Sequence, residues 1–353
     1  MDAKNRKKLF LGLGGILWFL AVLLAYAYTH KPFSAEQVFI LGKSLWQIIV
    51  VIGVLSFAGG LGLKVLPEIG GEPPLTLLAI QAGLGLGVLG MLILGMGVSI
   101  GFSLQNFTIF ILGGLFFFHR QSIAWWKQWS ALLWVWRKSS SLEKILSMGI
   151  LFILFTSFAE SLVPPLAFDS LVYHLTLPKF YLIEGGISYT EDLMYWGMPQ
   201  IMEMLNVLVM ALAGVEAAIL LGWSFGLLTL VGLLGFLENH FSSLAAWIAL
   251  VALLAGNSLS SSLSWGYVEG LLMLFTFSVF VILSVWVSHK RVRYLITSAL
   301  LTGFAIGTKY TAAILPFAFS PVFFIIDQER SFKRRVQDIV FYGAIALLAF
   351  LLG

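Results

Sequence analysis

Apolar runs of bilayer length recur along this chain, and nothing else in it constrains the fold so strongly. A run of about 20 apolar residues crosses the hydrocarbon core of a membrane as a helix. Such runs fall roughly at 9–29, 38–63, 75–100, 103–118, 145–163, 216–236, 242–258, 267–288, 294–310, 311–326 and 338–353. In lipid every backbone amide must be satisfied within its own structure, which leaves helices or a closed barrel. The runs are continuous and do not alternate, which excludes the barrel. Composition agrees, with 59% hydrophobic and 11% charged residues, where a soluble domain carries about 25% charged. The sequence therefore predicts an all-α polytopic membrane protein with about 11 transmembrane helices and a large outer loop containing short surface helices.

The chain has no cysteine, so disulfides, thiolate metal sites and cysteine nucleophiles are excluded. Its net charge of +4 does not point to nucleic acid, because the positive-inside rule accounts for where the basic residues lie. Lys4, Arg6, Lys7 and Lys8 place the N-terminus in the cytoplasm. Counting helices from there puts Lys64, then Arg120, Lys127, Arg137, Lys138 and Lys144, on the same side. Lys290, Arg291 and Arg293, and Arg330, Lys333, Arg334 and Arg335, mark two further inside loops. Seventeen of the 21 basic residues are then cytoplasmic. The loop from Val163 to Gln200 falls outside, and it and its edges carry Glu160, Asp169, Glu184, Glu191, Asp192 and Glu203 against a single Lys179.

This parity holds only if 199–213 does not cross. That segment is about 13 apolar residues long, begins at Pro199 and contains Glu203 and Asn206, so it is short for a span. It reads as a re-entrant or surface helix, which leaves Ser260–Glu269 outside.

Two patterns mislead. The N-terminus resembles a signal peptide, with Ala25-Tyr26-Ala27 at a cleavage-like position, but the run from Leu9 to Leu24 is long for one and reads as an uncleaved first helix. Gly85, Gly87 and Gly90 match the spacing of a dinucleotide fingerprint, yet they stand in an apolar helix with no strand before it. There, small residues let helices approach closely. Three regions follow: 1–118, a four-helix membrane block; 119–144, a cytoplasmic interfacial segment rich in tryptophan and basic residues; and 145–353, a membrane core. The last run stops at Gly353 without a polar exit, which reads as a core cut short at its C-terminus.

The outer loop carries the most chemistry. Pro164 and Pro165 end a membrane helix. Asp169 is placed to cap a short helix, interrupted by Pro178 and ended by Gly185-Gly186. Leu171, Leu175, Pro178 and Leu182 share a face that can lie on the bilayer. Tyr173 stands one turn after Asp169, close enough to share a site, and His174 follows it. Further on, Glu269 stands at the outer mouth of one helix and Lys309 at the outer end of another. An ionisable residue there calls for an explanation, and mutual pairing is the simplest. No cluster has metal-ligand spacing, so no metal and no cofactor is expected.

The acid after a membrane helix, the Tyr173-His174 step and the Pro178-Lys179 step resemble the first outer loop of the GT-C glycosyltransferases. The chain is similar in particular to the bacterial integral-membrane branch related to protein O-mannosyltransferases and aminoarabinose transferases. Tyr267-Val268-Glu269 and Gly307-Thr308-Lys309-Tyr310 follow in that family's order, and the resemblance covers about 145–326. It implies transfer of a sugar from a polyprenyl-phosphate donor to a lipid, glycan or protein acceptor, with inversion, at the outer face of a bacterial inner membrane. Asp169 would be the catalytic carboxylate, Lys309 would answer the donor phosphate, and Tyr173, His174, Lys179 and Glu269 would bind substrate. Two positions depart from the family pattern. Ser170 stands where a second acid is common, and Glu269 where Asp is. A transporter or flippase of lipid-linked glycans is the alternative; that class favours mid-membrane ionisable residues and internal repeats.

Overall fold

The computed structural model describes residues 3–30, 34–189, 191, 193, 195–326 and 331–352; among these the chain is helical, with no strand. Asp192 and Arg330 lie outside the described residues. In order the helices are α1 (Ala3–His30), α2 (Ala35–Val65), α3 (Pro74–Ser99), α4 (Leu104–Phe117), α5 (His119–Lys127), α6 (Ser130–Lys138) and α7 (Ser141–Ser161). A π-helical turn (Ser170–His174) leads to α8 (Thr176–Glu184) and α9 (Ile201–Ala213). There follow α10 (Val215–His240), α11 (Ser243–Ala255), α12 (Asn257–Ser262), α13 (Glu269–His289) and α14 (Val292–Ile306). A 3₁₀ turn at Tyr310–Ala313, α15 (Ile314–Pro321) and α16 (Phe332–Leu351) complete the chain. It forms two compact units, 1–46 and 47–353. The first holds α1 and the start of α2, where Ser34 and Gln37 cap each other's backbone amides. The second holds every residue considered below.

Five helices, α2, α3, α7, α10 and α13, are long and apolar enough to cross a membrane. A sixth is added if α4 and the helical stretch after it, bent by 71°, count as one span. The helices α9, α11 and α14 and the stretch Tyr310–Phe324 are apolar but shorter. Length and apolarity thus support five or six spans directly, where the sequence suggested about 11.

Helix starts follow local chemistry. Pro74 opens α3 at a position where its missing N–H costs nothing. Ser103 and Ser242 accept from Asn106 and Ala245 amides, and Ser140 and Glu143 form a reciprocal capping box at α7. Inside the bundle, glycine sets the spacing. Gly62 lies against the backbone of Gln81, Gly85 against that of Ala58, Gly87 under Phe304 and Gly90 beside Ile201. The glycines that mimic a nucleotide fingerprint are contact points between helices.

The tryptophan-rich segment divides into two. Trp125 is fully buried, its indole N–H donating to the Leu78 carbonyl at 3.0 Å, and Trp126 donates to Ser56 Oγ at 2.7 Å. Trp134 and Trp136 stay exposed, with Lys138 and Lys144 over their rings at 3.3 and 5.2 Å. The first half packs into the bundle and only the second has the character of an interfacial anchor.

The placement of α9 bears on its reading as a helix too short to span. Its first residue, Ile201, lies beside Gly90 and donates to the Gly307 carbonyl at 2.9 Å. Its last, Ala213, accepts from Gln47 Nε2 at 3.3 Å. The register of α2 on α3 (Gly62 with Gln81, Ala58 with Gly85) and of α10 on α3 (Gly232 with Ala79, Gly235 with Leu75) both put that C-terminal end level with about Met96. The helix, about 20 Å long, therefore advances only about 9 Å along the bundle. It lies obliquely across it and is not a span.

Candidate functional site

Asp169 and the turn after it are built differently from the helix cap that the sequence suggests. The Asp169 carboxylate caps nothing, and residues 170–174 form a π-helical turn in which the Leu175 amide reaches the Ser170 carbonyl at 2.9 Å. A π-turn spreads one extra residue around the axis, and here it turns His174 inward. The turn is held by its neighbour across the bundle. Ser170 is buried and its hydroxyl donates to the Trp265 carbonyl, while the Asp169 amide donates to Tyr267 Oη at 3.4 Å. Gly266, at φ +70°, makes the tight bend that presents both partners. A carboxylate at 170 would face a carbonyl oxygen with no proton to give.

His174 is buried and its Nδ1 lies 2.7 Å from Glu203 Oε1. The side chains are 5% and 4% exposed. Asn206, one turn further along α9, donates from Nδ2 to the His174 carbonyl at 3.1 Å. Glu203 and Asn206 were legible only as polar interruptions in an apolar helix; the structure makes them the partners of His174. The Tyr173 ring stacks beside His174 (4.0 Å between centroids) and Tyr195 (4.5 Å). Burial pushes the Tyr173 hydroxyl well above its ordinary range, and the Asp169, Glu269 and Glu203 carboxylates add to the effect.

Lys309 Nζ lies 2.5 Å from Glu269 Oε1, joining the end of α14 to the start of α13, and the pair is part-exposed. A cavity of about 170 Å³ is lined by Tyr173, His174, Tyr195, Glu203 and Lys309 among others. A larger hollow of about 530 Å³ lies alongside, lined by Glu160, residues 163–168, Ser264, Trp265 and Tyr267. Asp169 lines neither; along the chain it follows Phe168, which lines the hollow, and precedes Tyr173, which lines the cavity. Its carboxylate is half-buried and takes no hydrogen bond from a described residue.

Of the sequence-suggested site residues, the structure brings Asp169, Tyr173, His174, Glu269 and Lys309 together. Lys179 is not among them; it is exposed on α8, away from the cavity lining. The face carrying Leu175 and Pro178 is buried against protein, with only Leu171 strongly exposed, so α8 packs into the bundle where the sequence suggested lipid. Pro178 stands in the first turn of α8 and does not interrupt it, and Gly185, at φ +72°, ends the helix. Tyr267 was quoted only within a motif, yet it contacts both Asp169 and His174. No group of three or more His, Asp or Glu side chains among the described residues is arranged to hold a metal ion.

No protein-family model matches the chain, and no curated protein or solved structure is significantly similar to it.

Proposed function

We propose that the chain is an integral-membrane glycosyltransferase of GT-C type that transfers a sugar from a polyprenyl-phosphate donor to a lipid, glycan or protein acceptor. One observation carries the reading. Three separated stretches, 169–174, 267–269 and 308–310, meet at one end of the bundle around a cavity lined by Glu203, His174, Tyr173, Tyr195, Tyr310 and Lys309, with Glu269 paired to that lysine. The basic loops at 64, 127–144 and 290–293 lie at the other end, with Glu72 bridging to His240 there. By the positive-inside rule the cavity faces away from the cytoplasm, the outer face of a bacterial inner membrane in this reading. The count of about 11 spans and the outer loop belong to the same proposal.

The chemistry follows from placement. The acceptor hydroxyl approaches through the larger hollow and gives its proton to Asp169 as its oxygen bonds to the anomeric carbon. The bond from that carbon to the phosphate oxygen breaks on the opposite side, and the carrier phosphate keeps the electron pair. Lys309, steered by Glu269, answers the charge that develops there. Attack and departure on opposite faces invert the sugar carbon.

The test incubates membranes containing the chain with a panel of polyprenyl-phosphate sugars and measures release of carrier phosphate. Release that depends on Asp169 supports the reading; an Asp169→Asn variant with full activity sinks the assignment of the base. Glu203, an acid buried within the bundle, is the observation that favours a transporter. Movement of the intact lipid-linked sugar across vesicles, without release of carrier phosphate, would identify one.

A further inference from the structure

His174 consumes only half of Glu203. Oε1 is committed to the imidazole, whereas Oε2 is buried and takes no hydrogen bond among the described residues. The same holds for Asn206 Oδ1, whose amide nitrogen is already spent on the His174 carbonyl. Glu203 is 3% exposed and lines the cavity. Asn206 is fully buried outside the cavity lining, so only the Glu203 oxygen bears on the cavity; it is an acceptor, and leaving it unpaired is strongly disfavoured, so its complement is a ligand that brings donors.

Size and shape narrow the class. The cavity holds about 170 Å³, or about six water volumes, which suits one monosaccharide ring and not two. Tyr173 and Tyr195, their rings 4.5 Å apart, give it an aromatic wall against which the C–H face of such a ring can pack. Lys309, the cation of the lining, is paired with Glu269 and, in the transfer reading, also answers the donor phosphate, which leaves no positive charge over for the sugar ring. A second carboxylate in the cavity would meet Glu203 with no spare positive partner.

We propose that Glu203 is the specificity-determining residue of this cavity: it seats a single uncharged sugar ring, one of whose hydroxyls donates to Oε2, and it rejects a ring that carries a carboxylate. His174 and Asn206 are positioning residues that hold the Glu203 carboxylate in place. The inference rests on the glycosyltransferase reading and adds the kind of sugar that the donor carries.

Binding tests it without requiring turnover. The full chain in nanodiscs is titrated with citronellyl-phosphate-linked mannose, glucose, single-deoxy glucoses and glucuronate, with saturation-transfer NMR to report which ring protons touch protein. The neutral hexoses bind with glucuronate at least about tenfold weaker, and one deoxy analogue loses about 10- to 100-fold, the worth of a hydrogen bond to a charged group. Glu203→Gln brings hexose and glucuronate to near-equal affinity, whereas Glu203→Asp keeps the discrimination. Met198→Glu, which adds a carboxylate at a part-buried position of the lining, widens it and covers the case in which Glu203→Gln fails to fold. Unchanged discrimination in Glu203→Gln and Met198→Glu overturns the inference while leaving the transferase reading intact, and means that enclosed water satisfies Oε2. Failure of every sugar to bind overturns both.

Discussion

Two histidine–glutamate pairs of nearly equal length stand at opposite ends of the helical bundle. At one end His240 Nε2 meets Glu72 Oε1 at 2.9 Å, with the imidazole 42% exposed. It ties the end of α10 to the connection before α3. At the other end His174 and Glu203, at 2.7 Å, are almost fully enclosed. In the first only the imidazole meets water: the Glu72 side chain is 5% exposed and its Oε2 is buried without a partner among the described residues. The second gives up the hydration of two ionisable groups, and an apolar pair of similar volume would hold the helices about as well. The difference teaches where to look for function: both carboxylates are desolvated, but only in the second pair is the histidine enclosed as well, and only that pair lines the cavity.

Four measurements break or sharpen this contrast. The largest effect is expected for Asp169→Asn, which should lower transfer by about 10²–10⁴-fold at unchanged protein level, whereas His240→Ala at the opposite end leaves transfer intact. Comparable losses at both ends would erase the distinction. Next, Glu203→Ala strands His174 in a dry site and should destabilise the chain by about 3–5 kcal/mol, more than His240→Ala, which removes a 42% exposed imidazole and lets water reach Glu72; thermal melting in detergent reads both. Third, Lys309→Met should raise the KM for the phosphate-linked donor about tenfold, the lower end of a charge-assisted hydrogen bond, with little change in melting because the pair is part-exposed. Last, Ser170→Ala removes one hydrogen bond to Trp265 and should cost about 1 kcal/mol. Ser170→Asp should cost more, and equal melting of the two would show that the carbonyl contact has no electrostatic consequence.

Some of this was legible in the residues alone. The all-helical character followed from run length, and the shortness of 199–213 together with Glu203 and Asn206 anticipated a helix that does not cross. The pairing of Glu269 with Lys309 followed from two lone charges at neighbouring helix ends. What could not be read is what covers each face. Periodicity says that Leu175 and Pro178 share a side, but lipid and protein make the same demand for apolarity, and the structure supplies protein. Trp125 and Trp134 look alike in a basic, tryptophan-rich stretch, yet one is core and the other is surface. The link of His174 to Glu203 was hidden because tertiary pairing leaves no local spacing to detect, and an acid near an acidic loop seemed to need no partner.

The oblique course of α9 has a consequence for how the chain comes to be assembled. A 13-residue helix carrying Glu203 and Asn206 has no stable berth in lipid by itself, being too short to cross and too polar to stay. Its polar groups find partners only after α3, α10, α14 and the 170–184 segment have gathered around it. The crossing helices are therefore expected to insert before α9 docks, so that chains truncated before α14 should enter the membrane while leaving α9 open to protease. A chain arrested part-way would already sit in the membrane and would still lack its site.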